Sequence, residues 1–443
     1  MDKSTIFNRL MRGGIWATLG KIIFTLSTLA WNALLTRVLN ETEVGAFYLI
    51  ASIVVFGELV VLGGMNQAVM RLIATNGTAN HGIRPAIRGT ATLVALFTLT
   101  AAFLYLWFIG PQLGQEVFHS RLIGELTGFT AAWFALRAIQ TYLAFILRGF
   151  HRVGIAAFVD GATTAIFITL ALGYLWLQPD QPHIQEVLII VIGALASTVV
   201  FTLYLIQKNY RKTTAESGLL FNEPIKIGTP LAILAISGVG INEVYIWIVG
   251  AFSSQADVAI YGAALRLAKF ILLPLFIING IIPSTIAQLS AMNEKAKIEK
   301  VLQTVASIAA LPSILIAVIT FLASEEILAL VFGSAYSAGG NILAALVLGQ
   351  TICVAVGTPG VLMAMTNHQT KSMFIGITAG LVGIGISLLL IETHGILGIA
   401  IGAAMGKTLH HITMWAYCLK VLGIKTHASP FVLLNIKQLL KNH

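Results

Sequence analysis

Eight ionisable side chains interrupt the long apolar stretches of this chain: Lys21, Arg137, Arg266, Lys269 and Lys407 are basic, and Glu58, Asp160 and Glu243 are acidic. On membrane-insertion scales such a group costs about 2.5–3.5 kcal/mol at the centre of a lipid-facing helix. It is retained only where it faces protein, water, another charge or a ligand. Five bases against three acids leave positive charge over, and that is the composition of a site for anions. Lys and Arg are the natural partners of phosphate, Arg through a planar fork of parallel donors and Lys as a compact point charge.

Spacing sets polar residues beside these cations. Lys21, Thr25, Thr28 and Asn32 stand at i, i+4, i+7 and i+11, which is one helix face. Thr130, Trp133, Arg137, Gln140 and Thr141 make a second stripe. Arg266 and Lys269 are three apart and project together, and Lys407 and His411 are four apart. Four helices thus each carry a cation along a polar stripe, two in each half of the chain. The simplest arrangement is a water-filled cleft between the halves, a central cationic cavity. Plainer readings stand beside this one. Lys21 could snorkel to the cytoplasmic surface. Arg137 and Asp160, at similar depth on neighbouring antiparallel helices, could pair as structural glue, and Glu58 reads as a structural partner. Arg266 and Lys269 repel each other and call for an offsetting anion or acid. Asp160 and Glu243 are the candidates for carrying a coupling proton or cation.

The elements that position these residues follow from composition. Of 443 residues 57% are hydrophobic and 10% charged, with a mean hydropathy of +0.88. An average soluble chain carries roughly 25% charged residues. A soluble domain, a disordered chain and a nucleic-acid binder are therefore excluded as fits. Two cysteines, Cys353 and Cys418, lie in apolar runs and give no disulfide framework. No cleavable signal peptide is visible. A membrane-spanning helix needs about 20 apolar residues. Twelve such stretches are read at 14–36, 44–70, 89–110, 126–147, 153–177, 187–207, 227–251, 258–288, 301–324, 338–366, 372–391 and 395–419. They are long continuous runs, not the short alternating segments of a barrel.

Charge alternates from one inter-span loop to the next. The N-terminus and every second loop hold 20 of the 27 Lys and Arg residues, whereas the opposite loops hold only Arg37 and Arg121 among ten acids. Because Lys and Arg stay cytoplasmic, both termini are placed there. The expected fold is an all-α membrane protein of twelve transmembrane helices in two six-helix lobes, residues 1–207 and 227–419, joined by a polar cytoplasmic linker at 208–226. Six spans per lobe give both lobes one orientation, hence a pseudo-two-fold along the membrane normal. A faint repeat, Glu43-Val44-Gly45-Ala46-Phe47-Tyr48 and Asp257-Val258-Ala259-Ile260-Tyr261-Gly262, agrees. The stretch 420–443 reads as a basic amphipathic cytoplasmic tail, with Leu433, Ile436 and Leu440 at helical spacing beside Lys437 and Lys441.

Other motifs fail. Gly402 to Thr408 resembles a phosphate-cradling loop, but only three residues separate Gly402 from Gly406 and the loop needs four. Gly398, Gly402 and Gly406 read better as a close-packing ridge, as do Gly376 and Gly380. His410 and His411 have no spacing suited to a metal, and no cofactor is called for.

Several stretches resemble the Wzx-type polysaccharide flippases of the multidrug/oligosaccharidyl-lipid/polysaccharide superfamily. They are Leu62 to Arg71 (LGGMNQAVMR), Leu147 to Arg152 (LRGFHR), Asp257 to Leu267 (DVAIYGAALRL) with Ile282-Pro283, and Leu330 to Tyr336 (LVFGSAY). The resemblance covers nearly the whole chain, through motifs that are mostly structural. It implies an undecaprenyl-diphosphate-linked oligosaccharide moved between leaflets of a bacterial inner membrane by alternating access without ATP, for O-antigen or a related surface polysaccharide. Membrane lipid, a polysaccharide polymerase and a chain-length regulator are the implied partners, and nucleic acid is not. On that reading Lys21, Arg137, Arg266, Lys269 and Lys407 bind the diphosphate, and Thr25, Thr28, Asn32, Gln140 and His411 line the cavity. Two alternatives stand: an organic-ion exporter of the same superfamily, which would need acids in its cleft, and a membrane polysaccharide polymerase or ligase, which would need a catalytic cluster on an outer loop.

Overall fold

The structure, a computed structural model, describes residues 3–76, 83–179, 182–210, 218–279 and 282–429. All regular structure in these residues is helical. The principal helices are α1 (Lys3–Val38), α2 (Glu41–Leu62), α3 (Met65–Asn76), α4 (Ile83–Val117), α5 (Thr127–Gly149), α6 (Val153–Trp176), α7 (Ile184–Tyr210) and α8 (Asn222–Phe252). They continue with α9 (Gln255–Phe270), α10 (Leu273–Asn279), α11 (Ile282–Ala291), α12 (Lys295–Leu322), α13 (Ser324–Phe332), α14 (Gly340–Val356), α15 (Pro359–Met365) and α16 (Gln369–Tyr417).

Local chemistry explains most ends and breaks. Asn40 caps α2: its side-chain oxygen accepts from the Glu43 amide at 3.0 Å, and its Nδ2 donates to Glu43 Oε2 at 2.9 Å. Gly63 and Gly64, with φ of 48° and 75°, end α2 and start α3 in a backbone region that favours glycine. The expected second span is therefore two helices. In α6 the segment Phe158–Ala162 is π-helical, and Gly161 departs from helical torsions. A π segment also interrupts α8 at Ile236–Gly240.

Among the described residues ten helices are long and apolar enough to cross a membrane, and the α9–α10 pair, bent by 54°, brings the number to eleven. The difference from twelve lies in α16. With its π-helical extension it runs 54 residues, Gln369–Leu422. At 1.5 Å per residue that is about 80 Å of straight helix, far beyond a hydrocarbon layer of about 30 Å. It is not straight. At Gly395 (φ 56°, ψ −140°) the backbone leaves the helix and the two legs fold onto each other, so that Ser387 Oγ donates to the Ile399 carbonyl at 3.3 Å. The expected stretches 372–391 and 395–419 are these two legs.

Two compact units divide the chain. The first comprises Met1–Glu243 with Ser254–Ala259. In it α1 packs along α6, α5 packs on α2, α3 and α7, and the start of α8 packs on α3. The second comprises Val244–Ser253 with Ile260–His443, and there α14 packs on both α12 and α16. Compactness thus divides the chain inside α8, later than the polar linker read at 208–226; residues 211–217 of that linker lie outside the described set.

After α16, Gly423 (φ 70°) ends the helical run, and residues 424–429 form an extended strap. Ile424 is buried with Ile298, Leu302, Met363 and Met414. Thr426 donates to the Val356 carbonyl at 3.0 Å, Ala428 N to the Ala355 carbonyl at 2.9 Å, and Ser429 N to Ser307 Oγ at 2.9 Å. This part of the expected tail is integral to the second unit. The amphipathic pattern at Leu433, Ile436 and Leu440 lies outside the described residues.

The folded-back legs of α16 lean on glycine. A Cβ on Gly402 would stand 2.6 Å from the Ser387 amide nitrogen and 2.7 Å from the Gly383 carbonyl oxygen, whereas one on Gly385 would meet nothing within 4 Å. Gly402→Val is expected to lower the thermal unfolding temperature of the detergent-solubilised protein by several degrees, and Gly385→Ala to leave it within a degree or two. Equal behaviour of the two variants would contradict the packing of the legs.

Candidate functional site

The first unit carries a connected cluster of charge. Arg137 lies on α5 and Glu58 on α2, and Arg137 Nε donates to Glu58 Oε2 at 3.2 Å. Thr141, one turn along α5, donates to the other Glu58 oxygen at 2.5 Å. A second nitrogen of Arg137 donates to the Gln140 side-chain oxygen at 2.9 Å and to the Asp160 backbone carbonyl at 2.7 Å. The Asp160 carboxylate lies between two guanidiniums: Arg148 Nη2 at 2.6 Å on one oxygen and Arg137 Nη2 at 3.9 Å on the other. Lys21 on α1 is within electrostatic range of Asp160, Arg137 and Arg148, and its ammonium stands 5.2 Å from the Phe24 ring centre.

The π segment of α6 makes this geometry. A π turn leaves carbonyls without their usual helical donors. Side chains of α5 supply donors instead: Gln140 Nε2 to the Val159 carbonyl at 2.7 Å and Arg137 to that of Asp160. Gln140 also donates to Thr164 Oγ1 at 2.7 Å, which donates on to Thr198 at 3.1 Å.

The expected stripes separate into two kinds. Gln140 and Asn32, expected to line a wet surface, are 0% and 1% exposed. Gln140 braces α6, and Asn32 Nδ2 donates to the Thr28 carbonyl at 2.7 Å, so neither lines a cavity. Their helix face meets protein because α1 packs along α6 and α5 along α7. Thr25 and Thr28 are half-buried, and their hydroxyls donate to the carbonyls of Lys21 and Phe24 in their own helix. Arg137 has carboxylates on both sides, which realises the plainer pairing reading for that residue. Asp160 is engaged by two arginines. Glu243, half-buried at the start of the α8 segment after its π turn, makes no ion pair among the described residues.

Arg148 is the member that sequence reasoning missed, because it was counted among the cytoplasmic loop charges. It occupies the last turn of α5, where an arginine ordinarily reaches outward for water. Here its guanidinium lies 4.3 Å from the Phe145 ring centre, one turn back toward the helix interior, and ends on Asp160. The signal was available: Arg148 is eleven residues after Arg137, three helical turns along the same face.

The second unit holds a different set. Lys407 is half-buried on the second leg of α16, and among the described residues no acid pairs with it. The ionisable groups within its electrostatic range are Lys269 on α9, Cys353 on α14 and the two histidines that follow it. His411 Nδ1 lies 3.1 Å from the Lys407 carbonyl oxygen, and the His410 and His411 rings stand 5.2 Å apart. Arg266, one turn before Lys269, donates to the Gly262 carbonyl at 2.9 Å. Lys269, which the sequence reading paired with Arg266, and Lys407 and His411, which it paired with each other, thus lie in one neighbourhood. His410 and Cys353 are its members that were not singled out. Among the described residues no group of three potential ligands is arranged for a metal.

Comparison with known proteins agrees with this architecture. The model of a family described as "Polysaccharide biosynthesis protein" matches residues 10–284. A Haloferax volcanii protein named "Probable low-salt glycan biosynthesis flippase Agl15" is 22% identical over 402 residues, covering 88% of this chain and 79% of that one. Among solved structures, an inward-facing multidrug resistance MATE family transporter of the MOP superfamily superposes with a TM-score of 0.68 at 15% identity, over 94% of this chain and 96% of the other. A MOP superfamily transporter from Pyrococcus furiosus, described as having reversed polarity of its binding pocket, gives 0.62 at 14% identity, over 92% and 94%. At such identities these likenesses establish the fold alone, which this chain shares with those multi-pass transporters.

The two charge sets predict opposite responses to truncation. Removing one partner of a buried ion pair leaves the other uncompensated, at about 3–5 kcal/mol. Arg137 keeps 25% side-chain exposure, which lowers the expected loss for Arg137→Ala to roughly 2–3 kcal/mol. Lys407→Ala strands no carboxylate and is expected to unfold at the parent temperature or above. Thermal unfolding in detergent decides; a parent-like Arg137→Ala would show that the cluster does not brace the first unit.

Proposed function

The chain belongs to the polysaccharide biosynthesis protein family, and from that premise we propose that it is a flippase for an undecaprenyl-diphosphate-linked oligosaccharide. It carries this lipid from the cytoplasmic to the periplasmic leaflet of a bacterial inner membrane by alternating access, supplying O-antigen or a related surface polysaccharide. One observation carries the cargo assignment: among the described residues Lys407, held within a membrane-spanning helix, has basic or neutral ionisable groups around it and no acid. A half-buried ammonium without a counter-ion is unfavourable until an anion arrives. A lipid diphosphate brings about two negative charges, and Lys and Arg are suited to receive them.

In this reading Lys407, Lys269, Arg266 and His411 form the phosphate-binding set of the second unit; within the first unit Lys21 is the cation proposed for the same chemistry, and Arg137 braces the helices beside it. The twelve crossings of this reading comprise nine helices that cross once, the bent pair α9–α10, and α16, which counts twice because it turns back at Gly395; six belong to each of two lobes. Both termini face the cytoplasm, as the Lys and Arg bias of the loops supports. With the cytoplasm negative, outward movement of the anion gains about 2.3 kcal/mol per charge per 100 mV. Glu243, which has no ion pair among the described residues, is the proposed carrier of a coupling proton or cation. A polymerase and a chain-length regulator are the expected pathway partners. An organic-cation exporter would need acids where the second unit places bases.

In cells lacking their own flippase, the parent chain is expected to restore surface glycan. Lys407→Ala and Arg266→Ala are expected to reduce it at least tenfold with protein amounts unchanged. Full export by both variants overturns the site. Export of cationic dyes without glycan rescue overturns the cargo.

A further inference from the structure

The first-unit cluster does not use all its cations structurally. Lys21, Arg137 and Arg148 face Glu58 and Asp160: three positive charges and two negative. Glu58 is fixed, since Arg137 and Thr141 occupy both of its oxygens and its side chain is 13% exposed. Asp160 is held differently. Its backbone is anchored, because the carbonyls of Val159 and Asp160 receive donors from Gln140 and Arg137. Its carboxylate, at 24% exposure, touches the guanidinium of Arg148, itself 27% exposed. Rotation about the side-chain bonds releases the carboxylate without disturbing the helix. Arg148 meanwhile reaches inward past the Phe145 ring, forgoing the aqueous interface available to a residue in the last turn of α5. An inward-turned arginine on a partly open carboxylate marks a place where negative charge is wanted in the hydrocarbon zone.

We propose that Asp160 is a resident counter-ion that stands in for a diphosphate, and that Lys21 and Arg148 form an anion-binding site which the cargo opens by displacing it. The inference rests on the lipid-diphosphate reading and deepens it by naming the site in the first unit. With Asp160 in place the cluster carries one net positive charge. With its carboxylate swung away, the remaining groups carry two, which matches a diphosphate diester. Arg137 stays on Glu58 throughout and positions the backbone of α6. When the cargo leaves, Asp160 returns to Arg148, so the emptied site never holds two uncompensated cations. The same return helps to expel the cargo, because an internal anion competes for its binding groups.

The test is binding of inorganic pyrophosphate, free of divalent cations, to the purified full-length chain by calorimetry. Asp160→Asn, which keeps the shape and removes the competing charge, is expected to bind pyrophosphate at least tenfold more tightly than the parent, and Asp160→Glu to behave as the parent. Adding Arg148→Gln to Asp160→Asn is expected to abolish the gain. In liposomes Asp160→Asn is expected to flip lipid-linked oligosaccharide at least tenfold more slowly, because the site no longer competes for its cargo. Should Asp160→Asn fail to fold, Arg148→Gln alone decides, with at least fivefold weaker pyrophosphate binding expected. Unchanged affinity in Asp160→Asn, or in Arg148→Gln, overturns the proposal. If Lys407→Ala abolishes binding while both of those variants bind as the parent, the displacement idea falls and the cargo reading stands. If neither the parent nor any variant binds pyrophosphate, both fall together.

Discussion

A guanidinium or ammonium within a hydrocarbon layer needs an opposite charge, water or a ligand, and the fold is arranged around that need. In the first unit the need is met internally. Arg137 joins three helices because one planar fork reaches a carboxylate on α2, a side-chain amide on α5 and a backbone carbonyl on α6. A lysine at that position would offer a single point of charge and could not hold all three. The π segment of α6 is held by the same fork, since Arg137 donates to its Asp160 carbonyl. Charge, helix irregularity and packing in this unit are therefore one feature.

In the second unit Lys407 has no acid paired with it among the described residues. Around Lys407 the ionisable neighbours are a lysine, two histidines and a cysteine. No acid among the described residues does for Lys407 what Glu58 and Asp160 do for the arginines of the first unit. A fold that can bury carboxylates beside its arginines has no structural reason to omit one beside Lys407. The imbalance is intelligible as a place kept for an anion that comes and goes, and an apolar residue would be the more stable choice were no anion to visit.

The sequence made the gross architecture legible because apolar length and charge alternation are read one segment at a time. Lys407 and His411 could be placed together for the same reason, four residues apart on one helix. What stayed hidden were facts about pairs of segments. Helical spacing puts Gln140 on the same stripe as Arg137, but whether that stripe meets water or α6 depends on which helix lies opposite, and the answer is full burial. Arg148 was read as a loop charge because position in the chain says nothing about which way a long side chain turns. The strap at 424–429 read as part of a basic tail, since its attachment is mostly through backbone groups: Ala428 and Ser429 bond through amides that every residue carries.

A binding group for a multiply charged ligand must also sit on a base that does not yield when the ligand pulls on it, and the glycine ridge supplies one. Gly402 and Gly406 bring the second leg of α16 against Gly383 and the carbonyl of Ala379, with the Tyr245 hydroxyl closing the contact. Backbones this close leave no room for one leg to slide past the other. On the α14 side Gly349 meets Ala404 just as tightly, so the helix is held from both sides within one turn of Lys407. On the proposed reading, the residues that looked like a phosphate loop in the sequence serve phosphate in another way. They do not cradle it with backbone amides; they fix the helix that presents a lysine to it. Glycine at fours and a lysine immediately after Gly406 form one device, in which close packing provides the rigidity and the ammonium provides the charge.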